Sequence, residues 1–228
     1  MNKTINFNHH PINITYRDDS DLSVIDEFFI DKMYRSVETI ISDIKYPIID
    51  TGAHIGVFSI YSKIINPKLK IIAIEPELGN FKLLQANLKL NNCTNIKLIR
   101  AALVAEKKLN TKLYLSKNTH NHSTMPLSKN CIQVPATNLK KLMEENKIKK
   151  IGLLKMDIEG AEFNIIKTLK HKNIKTIENM VIEYHESGNN KREDLENITR
   201  QHGFSVEHFP NKFDKRFGLL VCRNKKTG

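Results

Sequence analysis

Five short apolar runs, separated by stretches of helical periodicity, constrain the fold of this chain more than any other feature. Each run stops at a polar or glycine-bearing turn, and the five read YPIIDTG, KIIAIEP, NIKLIRAAL, IGLLKMDIEG and NMVIEYHE. Short uninterrupted apolar runs are typical of parallel strands that are buried on both faces. Between the runs lie amphipathic stretches such as AEFNIIKTLK, in which Phe163, Ile166 and Leu169 share one face. Strands and helices that alternate in this way predict a doubly wound α/β sheet.

The two ends of the chain depart from this alternation. Polar residues suited to a helix N-cap precede an amphipathic segment from Ser20 to Asp43. We therefore expect residues 1–45 to form an N-terminal helical extension and residues 46–228 to form the α/β domain. Near the C-terminus, the runs FSVEHF and FGLLVCR are joined by a polar loop without a helix between them. These two strands must be antiparallel, because a parallel pair needs a long crossover.

Composition limits the class of protein. Lys and Arg outnumber Asp and Glu by 36 to 25 in 228 residues, and the formal charge of +11 would favour a polyanionic partner if the cations lay on one face. They are scattered, so a solvated surface is the preferred interpretation. Three widely spaced cysteines without a CxxC pair argue against a disulfide framework or a zinc knuckle. With neither a signal-peptide core nor about 18 consecutive apolar residues, we expect a soluble, cytoplasmic protein without a membrane span.

The stretch IIDTGAHIGVFSI, residues 48–60, joins the first run to a helix that we expect to begin near His54 or Ile55. Gly52 and Gly56 would let the backbone approach a ligand closely, and the free N–H groups of the helix start would add polarity. The second run ends at Glu75, where an acid in a nucleotide-binding sheet can accept hydrogen bonds from both ribose hydroxyls. The sequence therefore predicts a ligand that contains a ribose.

An acid and a missing glycine indicate which ribose ligand this is. The dinucleotide pattern G-x-G-x-x-G lacks its middle glycine here, and Asp50 would repel a diphosphate but attract the ammonium of an amino-acid moiety. The turn therefore favours S-adenosylmethionine over a nicotinamide dinucleotide. Tyr34 is interpreted either as a lid over the methionine end or as a core residue. The candidate cofactor contacts are Asp50, Gly52, His54, Gly56, Glu75, Pro76, Ala101, Ala102 and Tyr34.

Charged residues in the fourth run need an explanation, because a charge in a buried strand is costly unless it is paired. Glu159 and Glu162 suit the start of the following helix electrostatically. Lys155 is expected to pair with Glu183 of the fifth run.

A second part of the candidate site lies at the ends of the fourth and fifth runs. Asp157 ends the fourth run, where open α/β sheets place their ligands. Glu183 and His185 alternate onto one face of the fifth run. We expect these three side chains to converge near the cleft.

The long polar segment from 116 to 130 is interpreted as a lid or a substrate contact. Its His120 and His122 have no evident third ligand, so solvated side chains are preferred over a metal site.

Four motifs resemble, in order and spacing, the FkbM family of S-adenosylmethionine-dependent methyltransferases. They are IIDTGAHIGVFSI, IAIEPELGNFKLLQANLKLNN, LLKMDIEGAEFNIIKTL and VIEYHE. The block KMDIEGAE is the most specific of them, and His54 stands where the family often has Asn. The resemblance implies a class I methyltransferase fold, a Rossmann-like seven-stranded sheet with an antiparallel last strand. It also implies methylation that is usually directed to hydroxyls of sugars or secondary metabolites.

Methyl transfer to a hydroxyl needs in-line alignment of acceptor and methyl, and the hydroxyl proton must leave. We expect Asp157 and His185 to be the catalytic residues on the acceptor side, with His185 as the base. Asp157 and Glu183 could instead orient the acceptor or bind a divalent ion, and the sequence leaves the need for a metal open. A hydrogen-bonded network that merely joins the two strands is the structural alternative.

Three functions follow in order of preference. The first is an O-methyltransferase that acts on a small molecule or a glycan. The second is an RNA methyltransferase, which the basic charge suggests but no stacking-rich RNA module supports. The third, a nicotinamide dehydrogenase or a nonenzymatic nucleotide-binding domain, suffers from the missing glycine and from Asp50.

Overall fold

The fold is built on a mixed seven-stranded sheet, seen in a computed structural model that describes residues 1–116, 122–125, 129–169, 174–188, 190–212 and 214–225. With strands numbered along the chain, the spatial order is β5 (Ile96–Ile99), β4 (Ile71–Ile74), β3 (Ile48–Thr51), β9 (Ile151–Met156), β10 (Ile177–His185), β12 (Phe217–Asn224) and β11 (Phe204–Pro210). The first five are parallel, and β12 is antiparallel to both of its neighbours. The predicted doubly wound sheet with an antiparallel last strand is confirmed.

Helices cover both faces of this sheet. They are α1 (Asp19–Phe29), α2 (Glu38–Asp43), α3 (Val57–Ile65), α4 (Leu78–Leu90), α5 (Leu139–Glu145), α6 (Glu162–Thr168) and α7 (Arg192–Gln201), with a 3₁₀ helix at Met33–Val37. Ile48 and Ile49 are neighbours in β3, yet they belong to different apolar clusters, because successive strand residues face opposite sides. The sheet therefore separates two apolar layers. Within the described residues, none of these helices combines the length and the apolar character that crossing a membrane requires.

Residues 1–15 correct the prediction of a wholly helical N-terminal extension. The strands β1 (Asn2–Phe7) and β2 (His10–Thr15) form an antiparallel hairpin. Its two turn residues, Asn8 and His9, have φ values of 50° and 64°, as two-residue hairpin turns require when they match the strand twist. The helices predicted between Ser20 and Asp43 are present.

The N-terminal elements share a core with the main sheet. Ile12 and Ile14 of β2 and Ile25 of α1 belong to the same apolar cluster as Ile48 of β3 and Ile60 of α3. The helical extension was expected to precede the domain, and the cluster shows that it packs against it. A domain boundary near residue 45 stays a prediction.

A small second sheet was not predicted from the sequence. It consists of β6 (Ala102–Leu103), β8 (Cys131–Thr137) and β7 (Asn110–Tyr114), with β8 in the middle. The polar segment from 116 to 130 connects β7 to β8. Of that segment, residues 117–121 and 126–128 lie outside the described residues, and so does His120.

Candidate active site

The turn after β3 lies directly against the end of β9. Gly52 has a φ of 71°, and a Cβ there would lie 1.7 Å from the carbonyl oxygen of Asp157. Gly56, with a φ of 95°, is the N-cap of α3, which begins at Val57 rather than at His54 or Ile55, and a Cβ there would lie 2.8 Å from Cδ1 of Leu84. Close approach to a ligand, the predicted reason for both glycines, stays a prediction. Contacts within the protein already require them.

Lys155 joins this turn to the end of β9. Its ammonium donates to the carbonyl oxygen of Gly52 at 2.8 Å and to Oδ2 of Asp157 at 3.2 Å, and it lies 3.5 Å from Oδ1 of Asp50. The predicted pair with Glu183 is wrong, because the register of β3 and β9 places Asp50 opposite Lys155. Burial lowers the pKa of Lys155, but Asp157 and Asp50 outweigh that effect and raise it. The side chain is therefore a buried cation.

Asp50 is completely buried beneath the turn. Its Oδ2 accepts a hydrogen bond from Oγ of Ser59 at 2.7 Å, and the ammonium beside its Oδ1 belongs to Lys155. Burial raises the pKa of Asp50, and the Lys155 charge opposes that rise. The sequence predicts that Asp50 attracts the ammonium of an amino-acid moiety in the ligand. In the structure, the ammonium beside Asp50 is that of Lys155.

Glu75 is fixed by the backbone of two loops. Its Oε2 accepts a hydrogen bond from the backbone N–H of His54 at 2.9 Å, and its Oε1 accepts one from the N–H of Glu77 at 2.9 Å. The side-chain amide of Asn80 reaches Oε1 at 3.4 Å. Burial raises the pKa of Glu75, whereas His54 and the two amides lower it. The carboxylate is thus held at the end of β4, and its Oε2, which accepts only the His54 N–H among these donors, retains capacity for a further donor.

A pocket opens above Glu75. Six of the nine predicted cofactor contacts line it, namely Gly52, His54, Glu75, Pro76, Ala101 and Ala102. Among the described residues, the pocket is also lined by Leu103 and Leu113 from the small second sheet and by Asp157 and Ile158 from the end of β9. The remaining three predicted contacts, Asp50, Gly56 and Tyr34, do not line this pocket.

His122, also a wall of this pocket, was interpreted as solvated. It is half-buried, and its Nδ1 accepts a hydrogen bond from the backbone N–H of Ser116 at 3.1 Å. That interpretation therefore needs correction. The two residues are six positions apart in the chain.

A polar network that the sequence did not reveal links the N-terminal elements to the pocket. Nε2 of His54 lies 3.1 Å from Oδ1 of the fully buried Asp21 in α1. Arg17 donates to both carboxylate oxygens of Asp21, from Nε at 2.9 Å and from Nη2 at 2.8 Å. Nη2 of Arg17 also donates to Oδ1 of Asn80 at 2.5 Å. The backbone N–H of His54 holds Glu75, and its side chain is a second anchor through Asp21.

The predicted convergence at the ends of β9 and β10 is confirmed. Asp157, Glu183 and His185 each place one potential ligand atom within 4.8 Å of the others. Nδ1 of His185 lies 3.3 Å from Oε1 of Glu162, and Nε2 lies 3.5 Å from Oε1 of Glu159. Burial would lower the pKa of His185, but Glu159 and Glu162 raise it well above its ordinary value. That direction argues against the predicted role of His185 as the base.

Tyr34 contacts both the apolar core and this cluster. Its ring is 1% exposed and stacks on Phe28 at a centroid distance of 4.2 Å, which supports the core interpretation. Its hydroxyl donates to Oε2 of Glu183 at 3.1 Å. Tyr34 thus positions an acid and does not line the pocket above Glu75.

The cluster carries more carboxylates than the sequence indicated. Burial, with the neighbouring charge of Asp157, raises the pKa of Glu27 in α1 to about 7. Burial also raises the pKa of Glu159 to about 7. Glu27 gave no signal in the sequence, because an acid on an amphipathic helix is ordinarily solvated. Five carboxyl groups therefore meet here, those of Glu27, Asp157, Glu159, Glu162 and Glu183.

Known proteins resemble this chain in sequence. A model of the FkbM methyltransferase domain matches residues 50–211. Methyltransferase 1 of Beauveria bassiana (strain ARSEF 2860) is 29% identical over 178 residues, which cover 69% of this chain and 70% of that protein. Methyltransferase sdnD of Sordaria araneosa is 26% identical over 211 residues, with 78% and 81% covered.

Among solved structures, M. capricolum TrmK in complex with S-adenosylhomocysteine superposes with a TM-score of 0.52 at 15% identity, covering 83% of this chain and 67% of that chain. Likeness at this identity concerns the fold, and it agrees with the predicted class I, Rossmann-like sheet. The family model spans well over half of the sequence and includes each motif in whole or in large part. The chain therefore belongs to the FkbM methyltransferase family, and it is a methyltransferase.

Proposed function

We propose that this protein transfers the methyl group of S-adenosylmethionine to a hydroxyl of a small-molecule or glycan acceptor. One observation carries the proposal. Asp157 lines the pocket above Glu75 and is also a member of the carboxylate cluster at the end of β10. The cofactor pocket and the acceptor side therefore adjoin at a single residue.

The cofactor is assigned to this pocket by the chemistry of its walls. The fixed Glu75 carboxylate suits the ribose hydroxyls, since Oε2 accepts one backbone N–H and retains a lone pair, and the Asn80 contact with Oε1 is long at 3.4 Å. Ala101, Ala102 and Leu103 offer an apolar surface to the adenine. The methionine end then extends past Gly52 toward Asp157, which places the sulfonium next to the acidic cluster.

The charge of the acceptor side favours a neutral or cationic acceptor. Among the described residues, five carboxyl groups lie around the Lys155 ammonium and the His185 imidazole. Such a site would repel the phosphates of RNA. A hydroxyl-rich acceptor can instead donate hydrogen bonds to the carboxylates, which would hold an oxygen in line with the methyl group.

The basic residues do not favour the RNA alternative either. A surface groove includes Lys107, Lys140, Lys141, Lys147 and Lys149 among its walls. It also contacts Thr168 at the end of α6 and Thr176 just before β10. These residues mark the edge of the sheet where β10 begins, whereas the cluster lies where β10 ends.

Calorimetric titration with S-adenosylhomocysteine tests the cofactor assignment. Glu75→Gln should weaken binding by about 10-fold to 100-fold, since a charged acceptor for two hydroxyls is lost. Glu144→Gln is the matched control, because that side chain is 65% exposed in α5. Equal affinity of Glu75→Gln and the wild-type protein, with both folded by circular dichroism, would refute the assignment.

Transfer of a labelled methyl group tests the acceptor class. The protein is incubated with methyl-labelled S-adenosylmethionine and, separately, with polyols, sugars, phenols and total RNA. We expect label in an ether linkage on one of the hydroxyl acceptors. Label that appears only in RNA, or on nitrogen or carbon of an acceptor, would contradict the O-methyltransferase proposal.

A further inference from the structure

We propose that Asp157, Glu183 and His185 bind a divalent metal ion on the acceptor side, and that this ion also binds two neighbouring oxygens of the methyl acceptor. The inference rests on the proposed function for the identity of the acceptor, but the metal site itself stands on the geometry of these three side chains. It names a narrower substrate class, acceptors with two adjacent oxygen atoms such as vicinal diols.

The spacing of the three side chains suits one shared ion. One ligand atom from each lies within 4.8 Å of the other two. Ligand atoms that surround an ion at about 2.0–2.6 Å lie at most about 4–5 Å apart. Two carboxylate oxygens and an imidazole nitrogen form a mixed ligand set that suits a transition-metal ion such as Mn²⁺, with the remaining positions left to water or substrate.

His185 is held in the orientation of a metal ligand. Glu162, which is fully buried, accepts from the backbone N–H of His185 at 3.1 Å and lies 3.3 Å from its Nδ1. The other oxygen of Glu162 accepts from the N–H of Gly160 at 2.8 Å. A fixed carboxylate on one ring nitrogen directs the other nitrogen to a metal. Nε2 accordingly faces the cluster, 3.5 Å from Oε1 of Glu159.

The two carboxylate ligands have fixed partners of their own. Lys155 donates to Oδ2 of Asp157 at 3.2 Å, and the hydroxyl of Tyr34 donates to Oε2 of Glu183 at 3.1 Å. Lys155 is 3% exposed and Tyr34 is 1% exposed. All three proposed ligands thus have a buried side chain that orients them, which a merely solvated group of acids would not require.

Charge balance supports the same assignment. Asp157, Glu183 and the neighbouring Glu159 bring three carboxyl groups, each negatively charged when ionised, around His185. A divalent ion would offset two of these charges in a largely water-excluded site. The ion would also stabilise the alkoxide character of a bound hydroxyl.

The ion leaves the stoichiometry of methyl transfer unchanged. The acceptor oxygen forms the new C–O bond as the C–S bond breaks, and the electron pair of that bond returns to sulfur. The hydroxyl proton passes to water, and the products are the methyl ether and S-adenosylhomocysteine. An acceptor with a single isolated hydroxyl would bind the ion with one oxygen only and should react more slowly.

Electron paramagnetic resonance of added Mn²⁺ tests the site without any acceptor. Titration of the wild-type protein should remove the free Mn²⁺ signal with one equivalent bound, and pulsed measurements should show coupling to one imidazole nitrogen. Asp157→Asn and Glu183→Gln should each weaken binding at least 10-fold, and His185→Asn should abolish the nitrogen coupling. Glu144→Gln, on exposed α5, should bind as the wild-type protein does.

Two results would overturn the metal site. One is the absence of stoichiometric Mn²⁺ binding at millimolar ion by a wild-type protein that still binds S-adenosylhomocysteine. The other is binding that Asp157→Asn and Glu183→Gln leave unchanged while their circular dichroism matches the wild type. Failure of S-adenosylhomocysteine binding would instead refute the proposed function, so the two failures are distinguishable.

Discussion

At the scale of single residues, the site depends on contacts between loops and strand ends rather than on any one unusual side chain. The carbonyl oxygen of Asp157 occupies the space that a side chain at residue 52 would need. Lys155 then bonds to the carbonyl oxygen of Gly52 and to the Asp157 carboxylate. A change of one atom at residue 52 should therefore disturb both the turn after β3 and the end of β9.

Gly52→Ala should destabilise the protein by about 2–4 kcal/mol, because it adds a steric clash to the cost of a positive φ. Gly203→Ala is the matched control, since Gly203 has a φ of 94° but no atom within 4 Å of its added Cβ. That control should lose only about 1 kcal/mol. Urea unfolding measures both, and equal losses would contradict the predicted clash.

At the scale of elements, the N-terminal hairpin and α1 are attached to α4 and to the turn after β3 by buried polar groups. Asp21 in α1 contacts Arg17 and His54, and Asn87 in α4 reaches the backbone of β2. Both side chains are completely buried. The N-terminal elements should therefore contribute to stability and to the geometry of the turn after β3.

Asp21→Asn should lower the free energy of unfolding by about 1–3 kcal/mol at neutral pH. Burial alone would raise the pKa of Asp21, but hydrogen bonds from Arg17 and His54 outweigh it and hold the pKa well below its ordinary value. The stabilisation is complete above the unfolded pKa of about 3.9 and is lost as the pH falls below it.

Urea unfolding of the wild-type protein and Asp21→Asn at pH 7 and pH 3 measures this dependence. The difference between them should be smaller at pH 3. Asp19→Asn, an exposed acid in the first turn of the same helix, controls for the loss of a charge. A difference that is independent of pH would show that the Asp21 charge does not stabilise the fold.

Asn87→Ala should destabilise by about 2–3 kcal/mol. The Asn87 amide accepts from the N–H of Thr15 at 2.8 Å and donates to the carbonyl oxygens of Thr15 and Ile55, so its removal leaves these buried groups unpaired. Hydrogen exchange at the Thr15 amide should accelerate more than exchange in β9. Gln85→Ala, an exposed change on the same helix, should alter neither measurement.

At the scale of the whole molecule, the sheet gathers the functional groups at one edge. The strands β3, β4, β9 and β10 are parallel, so their carboxyl ends bring Gly52, Glu75, Asp157 and His185 to the same side. The antiparallel β12 lies between β10 and β11 and carries no member of the site. Its role is to complete the core that supports β10.

The rate at which the Cys222 thiol is alkylated should measure how often this core opens. It is fully buried in β12 and pairs with Met180 of β10 and Val206 of β11, whereas Cys93 and Cys131 are partly exposed. Burial raises the pKa of the Cys222 thiol strongly. Iodoacetamide should therefore modify Cys222 only at the rate of global unfolding. Peptide mass spectrometry checks this, and modification of Cys222 as fast as that of Cys131 would contradict it.

The sequence by itself determined the sheet and the position of the acids at its strand ends. Each apolar run has the local pattern of a buried strand. Because parallel strands bring their final residues to one edge of the sheet, the sequence alone places Glu75 and Asp157 at that edge. The hydrophobic pattern of β3 and the tight turn after it are likewise local properties. The family motifs extend along the same segments.

Only the tertiary structure decided the partners of the charged side chains. Lys155 pairs with Asp50 because of strand register, and Arg17 reaches Asn80 across 63 positions of the chain. The hairpin of residues 1–15 is stabilised by α4, which is equally remote in sequence. A local pattern specifies which residues are buried, whereas ion pairs and hydrogen bonds between distant segments depend on how the elements pack. The residues that make this site chemically distinctive are held by such contacts between distant segments.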